Sequence, residues 1–313
     1  MISRFNVLTP PRLAGAVAVV LSLSGYAHAA EDFRVTYAGS MGVVMDKALG
    51  PAFAKSNQVN YQGQGQGAYG MANLLASKKV VADVFVSITP GPIAVLQKAG
   101  LVEKAEPVAS TSMVIAYNPK GKYAEAFNAI RDNKPGAEPW WKVLQTPSLR
   151  FGRTDPATDP QGQNIIFTMM LASRYYQQPD LAEKVLGETQ NPQQVFAEGG
   201  LLTRLEAGQV DAASGYESAT RSAHLPYIRL PDEINLSNPE MDASWYSKVS
   251  FDITDAKGQK KTLHTQPLVF YAAVLKNAPH PELAQKFVKF MQSKEGQALF
   301  EKNGYGAPKG GAM

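Results

Sequence analysis

The stretch "GRTDPATDPQG", residues 152–162, carries two carboxylates four positions apart, Asp155 and Asp159, each followed by proline. It runs directly into the apolar segment "IIFTMMLASRYY". Asp159 followed by Pro160 has the form of a helix N-cap with proline at the first helical position. A helix start leaves its first backbone N–H groups without intrahelical partners. Such a terminus is either simply capped or a seat for an anion, because oriented N–H groups and the positive end of the helix dipole favour negative charge. Three more junctions between a strand-like and a helix-like run share this small, hydroxyl- and turn-rich composition: "AGSMG" (38–42), "GQGAYG" (65–70) and "SGYESA" (214–219). The candidate ligand-contacting residues are Ser40 and Met41 from the first, Ala68 and Tyr69 from the second, Asp159 from the third, and Tyr216 and Glu217 from the fourth. Ser40 and Ser218 offer hydroxyls as well. Each position has an ordinary structural alternative: capping residues are common at such junctions, and an acid such as Glu217 is commonplace in a first helical turn. Arg153 is the one cation close to these junctions, and its expected role is to hold the loop through carboxylates or carbonyls.

Other chemistries find little support. "GQGAYG" has the G-x-G-x-x-G form of a dinucleotide fingerprint. That fingerprint needs an acid at the end of the following strand to hold the ribose, whereas Asp83 opens the run "DVFVS" and stands at the wrong edge. There is no G-x-S-x-G elbow and no P-loop. His224, His264 and His280 follow no metal-ligand spacing. The chain has no cysteine, which removes disulfides, thiolate metal sites and a cysteine nucleophile. No cofactor is expected. An exported hydrolase built on Asp155 or Asp159 is an alternative from another class, but it lacks a nucleophile. A purely structural or adhesive protein is a third, and it predicts no ligand and no hinge motion. Nucleic-acid binding calls for a basic stripe interleaved with aromatics; the densest basic run, "KGQKK" at 257–261, reads as a solvated hairpin tip.

The elements that must position the four junctions alternate along the chain. "FRVTYAG" (33–39) reads as a strand and "MGVVMDKALGPAFAKS" as a helix; "QVNYQ" and "YGMANLLASKK", then "ADVFVS" (82–87) and "PIAVLQKAG", repeat the pattern. Met71, Leu74 and Leu75 share one helical face. Such βα alternation predicts a mostly parallel sheet covered by helices. A longer strand, "STSMVIAYNPKG" (110–121), closes the first unit. A second α/β set begins near "LRFGRTDP", and the run from "SWYSKV" to "FYAAVL" alternates like an antiparallel pair with "DAKGQ" as its turn. The terminal helices put Leu283, Phe287, Phe290 and Met291 on one core-facing stripe. They need a partner, and the first unit has the free sheet face. The expected organisation is a discontinuous first lobe, 30–112 with 269–313, and a second lobe, 113–268. Open parallel sheets bind ligands beyond the carboxyl ends of their strands, so two lobes facing each other across a hinge make a cleft.

The chain has 313 residues, 44% hydrophobic and 19% charged, enough for two domains with real cores. Residues 1–29 read as a secretory signal peptide: Arg4 and Arg12 supply the basic flank, "LAGAVAVVLSLSG" the apolar region and "AHA" the cleavage site, after Ala29. The apolar run is too short for a lasting membrane anchor. Removing the two arginines takes the formal net charge from +4 to +2. An exported, unanchored protein without cysteine is expected in a bacterial periplasm.

Taken together, the segments resemble the molybdate/tungstate-binding periplasmic proteins of ABC importers, within the type II solute-binding superfamily and particularly its archaeal-like branch. "VTYAGSMG", "ADVFVS", "MVIAYNPKGKYAE" and "KNAPHPELAQKFVKFMQSKEGQALFEKNGYGAP" carry the general likeness; "RFGRTDPATDPQG" and "LPDEINLSNP" carry the narrower one. The resemblance implies a two-lobed α/β periplasmic binding protein fold with its ligand cleft at the hinge. It implies capture of a tetrahedral oxyanion, delivery to an ABC permease in the inner membrane, and no enzymatic activity. The expected form is a monomer without a nucleic-acid partner. By position, Ser40 matches the family's first anion-contacting serine, Asp159 lies where some members bring a carboxylate near the metal of the anion, and Tyr216 matches an aromatic beside the fourth junction. Three departures bear on selectivity. Ala68 stands where many members have serine, "IT" follows "VFVS" where an acid is usual, and Gly215 stands where an acidic ligand aligns, with Glu217 two residues late. A changed specificity, for another inorganic anion or a small organic acid, is the alternative within the same fold.

Overall fold

The alternation read from the sequence builds two five-stranded sheets. The computed structural model describes residues 31–157, 159–196, 200–254 and 258–313; the expected leader at 1–29 and part of the turn "DAKGQ" lie outside the described residues. The strands are β1 (Asp32–Ala38), β2 (Asn60–Gln66), β3 (Val84–Ser87), β4 (Ala105–Ser110), β5 (Met113–Tyr117), β6 (Phe151–Thr154), β7 (Val195–Phe196), β8 (Ala212–Tyr216), β9 (Tyr227–Arg229), β10 (Ser250–Thr254), β11 (Lys260–His264) and β12 (Val269–Val274). The first sheet has the order β2-β1-β3-β12-β4, the second β7-β6-β8-β5-β9, and β10 pairs only with β11.

Each sheet has one strand running against the rest. In the first, β1 is parallel to β2 and β3, while β12 is antiparallel to β3 and β4. In the second, β6 is parallel to β7 and β8, while β5 is antiparallel to β8 and β9. Four strands of each sheet therefore share a direction, as the βα alternation requires. The opposed strands, β5 and β12, are the ones that begin just after the chain passes from one sheet to the other. The run 110–121 is not one strand: it divides into the end of β4 and all of β5, with Thr111 and Ser112 between the sheets. The two passages lie side by side, since Thr111 N–H donates to Leu268 O at 3.0 Å.

The strands are apolar because helices cover them. All four residues of β3 and all five of β5 and β8 are buried, the signature of strands covered on both faces. The helix Pro281–Gln292 inserts Phe287 against Phe33 and Phe53, with ring centroids 5.4 and 4.9 Å apart. Its stripe thus completes the core beneath β1. Phe287 and Met291 are fully buried, whereas Leu283 and Phe290 sit at the rim of that core. The β10–β11 hairpin lies on the helix Pro160–Tyr175, where Phe251 meets Phe167 at 4.9 Å. Among the described residues no helix is long and apolar enough to cross a membrane.

Candidate functional site

Parallel strands end at one edge of their sheet, and the turns that leave β1, β2, β6 and β8 all reach the same hollow. A cavity of about 300 Å³ is lined by Ala38, Gly39 and Ser40 after β1, and by Gly67 and Ala68 after β2. The second sheet contributes Thr154, Asp159, Pro160 and Gln161 after β6, and Tyr216 and Ala219 after β8. Ile88, Leu201 and Leu202 complete the wall. All four junctions singled out in the sequence therefore meet in one place, two from each sheet.

The third junction is built most tightly. Asp159 caps the helix Pro160–Tyr175, accepting from Gln161 N–H at 3.0 Å. Gly162, in the first turn, lies so close to the end of β6 that a Cβ there would run into the Thr154 carbonyl. Gln161 Nε2 donates to Ser214 O at 3.0 Å, and Asn164 Nδ2 donates to Tyr216 Oη at 3.1 Å, so the loop is tied to β8. Asp159 is 5% exposed, and burial raises its pKa above the ordinary carboxylate value. The Thr154 hydroxyl and the Gln161 N–H work against that rise. Thr154 Oγ1 is itself buried and without a well-formed hydrogen bond. It was part of the quoted junction but not a sequence candidate, because a threonine at a strand end reads as ordinary β structure. Among the described residues Asp159 is the one side chain on this wall that carries a charge at neutral pH, and no lysine or arginine lines it.

Arg153 lies behind the loop instead of facing the cavity. It is fully buried and donates to Glu188 O at 2.7 Å, Thr189 O at 2.8 Å and Gln194 Oε1 at 3.1 Å. Desolvation lowers its pKa to about 10. Its role is to hold the 188–194 segment against β6, the structural part expected of it.

The other candidates divide. Ser40, Ala68, Asp159 and Tyr216 line the cavity. Met41 is fully buried in the core beneath the first junction. Tyr69 is 45% exposed and faces an adjoining chamber. Glu217 points to the other side of its helix, Glu217–Ser222, into a separate hollow of about 580 Å³ beside Thr111 and Ser112. There it accepts from Tyr227 Oη at 2.8 Å, Ser112 Oγ at 2.9 Å and Arg229 Nη2 at 3.0 Å. Burial alone would raise its pKa; these donors and the Arg229 charge outweigh burial and hold it below the usual range.

The fourth junction also spends its backbone donors. Glu217 N–H donates to Ser112 O at 2.9 Å, and Ser218 N–H to Thr111 Oγ1 at 3.3 Å. Ser218 Oγ in turn accepts from Thr111 Oγ1 at 3.1 Å. An anion in the cavity therefore meets free amides from the second junction more readily than from the fourth. Behind the first junction, Tyr305 Oη donates to Ser40 O at 3.2 Å, while Ser40 itself lines the cavity.

The dinucleotide form of "GQGAYG" has a packing explanation. A Cβ at Gly65 would lie 2.7 Å from the Tyr37 ring, so that glycine serves the contact between β1 and β2. Asp83 is fully buried at the start of β3, accepting from Arg34 N–H at 2.9 Å and His280 N–H at 2.7 Å. It is occupied by structure at the opposite edge of the sheet. Among the described residues there is no cluster of three or more histidine or acidic side chains fit to hold a metal ion.

Two α/β lobes that place their strand-end turns around a shared cavity define a two-lobed binding protein. The chain belongs to the family of bacterial extracellular solute-binding proteins, whose family model matches residues 33–306. An uncharacterized solute-binding protein of Staphylothermus marinus is 33% identical over 221 residues, 63% of this chain and 61% of the relative. The molybdate/tungstate-binding protein WtpA of Pyrococcus abyssi is 32% identical over 214 residues, 62% of this chain and 59% of the relative. The chain thus spans about three-fifths of the length of these relatives. Among solved structures, the substrate-binding domain of a putative molybdenum ABC transporter from Clostridium difficile superimposes with a TM-score of 0.58. That match covers 90% of this chain and all of the other at 16% identity, a likeness of fold.

Proposed function

We propose that this protein captures a tetrahedral oxyanion of the molybdate/tungstate kind between its lobes and delivers it to an ABC permease in the inner membrane, without catalysing a reaction. In this reading it works as a monomer in the periplasm, after loss of a leader at 1–29, with no nucleic-acid partner. The lobes comprise residues 30–112 with 269–313, and 113–268; sheet membership, with β12 lying between β3 and β4, supports that division. The observation that carries the reading is the meeting of four strand-end turns, two per sheet, around one cavity with no lysine or arginine among the described residues of its wall. Such a wall offers an anion helix-terminal N–H groups and hydroxyls. It needs no buried cation, whose desolvation would have to be offset when the site is empty. The name of the Pyrococcus relative points to the same ligand class.

A thermal-shift screen in anion-free buffer tests this. A ligand present at a thousand times its Kd adds about 4 kcal/mol to the stability of the form that binds it. Molybdate or tungstate is expected to raise the melting temperature, and sulfate to do so less. Unmoved melting with all three would end the oxyanion reading. The departures at Ala68 and Gly215 leave room for another inorganic anion or a small organic acid, which the same screen separates. At Gly215 a Cβ would stand 2.6 Å from Thr220 Oγ1, so an acidic side chain would have to displace that hydroxyl.

A further inference from the structure

The hollow between the lobes does not stop at the four junctions. Ala68, Ile88 and Pro160, which line the 300 Å³ cavity, also line a second chamber of about 560 Å³. Taking each oxygen at the liquid-water share of roughly 30 Å³, a tetrahedral oxyanion fills about 120 Å³. The first cavity holds one with room to spare, and the second is superfluous for it. Cavities of this combined size accommodate organic ligands.

The second chamber is also chemically different from the first. Its walls come from both lobes: Tyr69 and Thr89 on one side, Gln163 and Asn164 on the other, and the strand β11 across the end. Gln266 Oε1 accepts from Gly91 N–H at 3.2 Å, which ties the segment after β11 to the opposite lobe. Among the described residues no acid lines it, whereas Lys261 and His264 do. Strand alternation places Lys261 on the face of β11 shared with Leu263, opposite Ile253 and Phe251 of β10. That is the face through which Phe251 holds the hairpin on the helix Pro160–Tyr175. Lys261 Nζ has no ion pair or hydrogen bond among the described residues. Among the described residues, a seat whose one charged side chain is an acid thus opens into a chamber with an unpaired ammonium and no acid.

We propose that this chamber is a second subsite, and that the cleft takes an oxyanion bearing a short organic arm that ends in a carboxylate. The tetrahedral head occupies the four-junction seat, and the arm runs past Ala68 to place its carboxylate on Lys261. Ala68, with its small side chain, lines both spaces and stands at the border between them. This inference rests on the proposed oxyanion seat and specifies what else is attached to the anion. Charge-assisted pairing of an ammonium with a carboxylate is the strong kind of polar contact, and closing of the lobes over the exposed Lys261 would reduce its screening by salt.

Isothermal titration with three probes tests it: molybdate, methylphosphonate as a tetrahedral head without the carboxylate, and phosphonoacetate as the same head with it. Wild-type protein is expected to bind phosphonoacetate at least tenfold more tightly than methylphosphonate. In Lys261→Gln that margin should fall to threefold or less, with the methylphosphonate affinity within twofold of wild type. Lys261 is exposed and pairs with none of the described residues, so the variant keeps the fold, and an unchanged circular-dichroism melt checks this. Equal affinity for the two phosphonates in wild type, or a margin that survives in Lys261→Gln, overturns the subsite. So does binding of molybdate with neither phosphonate bound, an outcome that leaves the proposed function standing. If none of the three binds, the oxyanion reading fails and the subsite falls with it.

Discussion

Ser40 and Asp159 face the same cavity with opposite consequences. Ser40 sits on a 3-10 turn, Gly39–Met41, with its carbonyl engaged by Tyr305 and its hydroxyl free to donate. A hydrogen bond to a charged ligand is worth about 1.5–3 kcal/mol. Ser40→Ala should therefore weaken molybdate binding by roughly ten- to a hundredfold, read by titration, with no change in the melting temperature of the free protein. Unchanged affinity would remove Ser40 from the site. Asp159 is held in the wall at a cost, because burial disfavours its charged form. A carboxyl whose pKa is raised by folding costs stability at pH values above its unfolded value, and the cost is complete once pH exceeds its folded value. Asparagine caps a helix as well as aspartate. Asp159→Asn should thus raise the melting temperature of the ligand-free protein at pH 7 and lose that advantage as pH falls through the raised pKa into the acid range. A variant less stable than wild type at neutral pH would show that the carboxylate has a stabilising partner.

At the scale of elements, the helix Glu217–Ser222 decides how the two lobes are joined. Its first N–H groups donate to Thr111 and Ser112, the pair of residues linking β4 to β5. One oxygen of the Glu217 carboxylate accepts from Ser112, while the other accepts from Tyr227 and Arg229. Arg229, on β9, completes the brace from the same lobe at 3.0 Å. Glu217 is therefore a hinge support in this arrangement, on the opposite side of its helix from the cavity. Because its folded pKa is depressed, its charge contributes stability that is present above the unfolded value and disappears as pH falls through the folded one. Glu217→Gln should destabilise the protein by about 1–3 kcal/mol at pH 7. The gap from wild type should close in strongly acidic buffer, as denaturant titrations at the two pH values would reveal. A gap that persists at low pH would mean that the hydrogen bonds, and not the charge, carry the brace.

Across the whole molecule, the lobes are linked by few residues. The passages at Thr111–Ser112 and 265–268 lie together, joined by the bond from Thr111 N–H to Leu268 O, and Leu268 N–H donates to Leu236 O at 2.8 Å. A hinge of this kind concentrates rotation in a handful of backbone torsions while the sheets move as rigid bodies. A ligand that touches turns of both sheets has more to bind in the closed form, and it shifts the population by that difference in affinity. Saturating molybdate is expected to reduce the radius of gyration measured by small-angle X-ray scattering, with no change in molecular mass. A profile unaltered by an anion that demonstrably binds would show that capture occurs without closure.

Much of this was legible along the chain, because it depends on neighbours in sequence. Apolar runs punctuated by glycine and proline determined the strands and helices, and Asp159 before Pro160 specified the cap of the helix Pro160–Tyr175. The small, hydroxyl-rich junctions marked the carboxyl edges of the sheets, and βα alternation dictated that those edges share a side. Tertiary structure alone decided which groups at those edges remain free. Glu217 meets a partner 105 residues away, at Ser112, and Tyr305 reaches Ser40 across 265. Lys261 finds its chamber only because Phe251 seats the hairpin on a distant helix. Local periodicity reports the face on which a side chain lies, whereas its hydrogen bonds are set by whichever surface folding brings opposite that face.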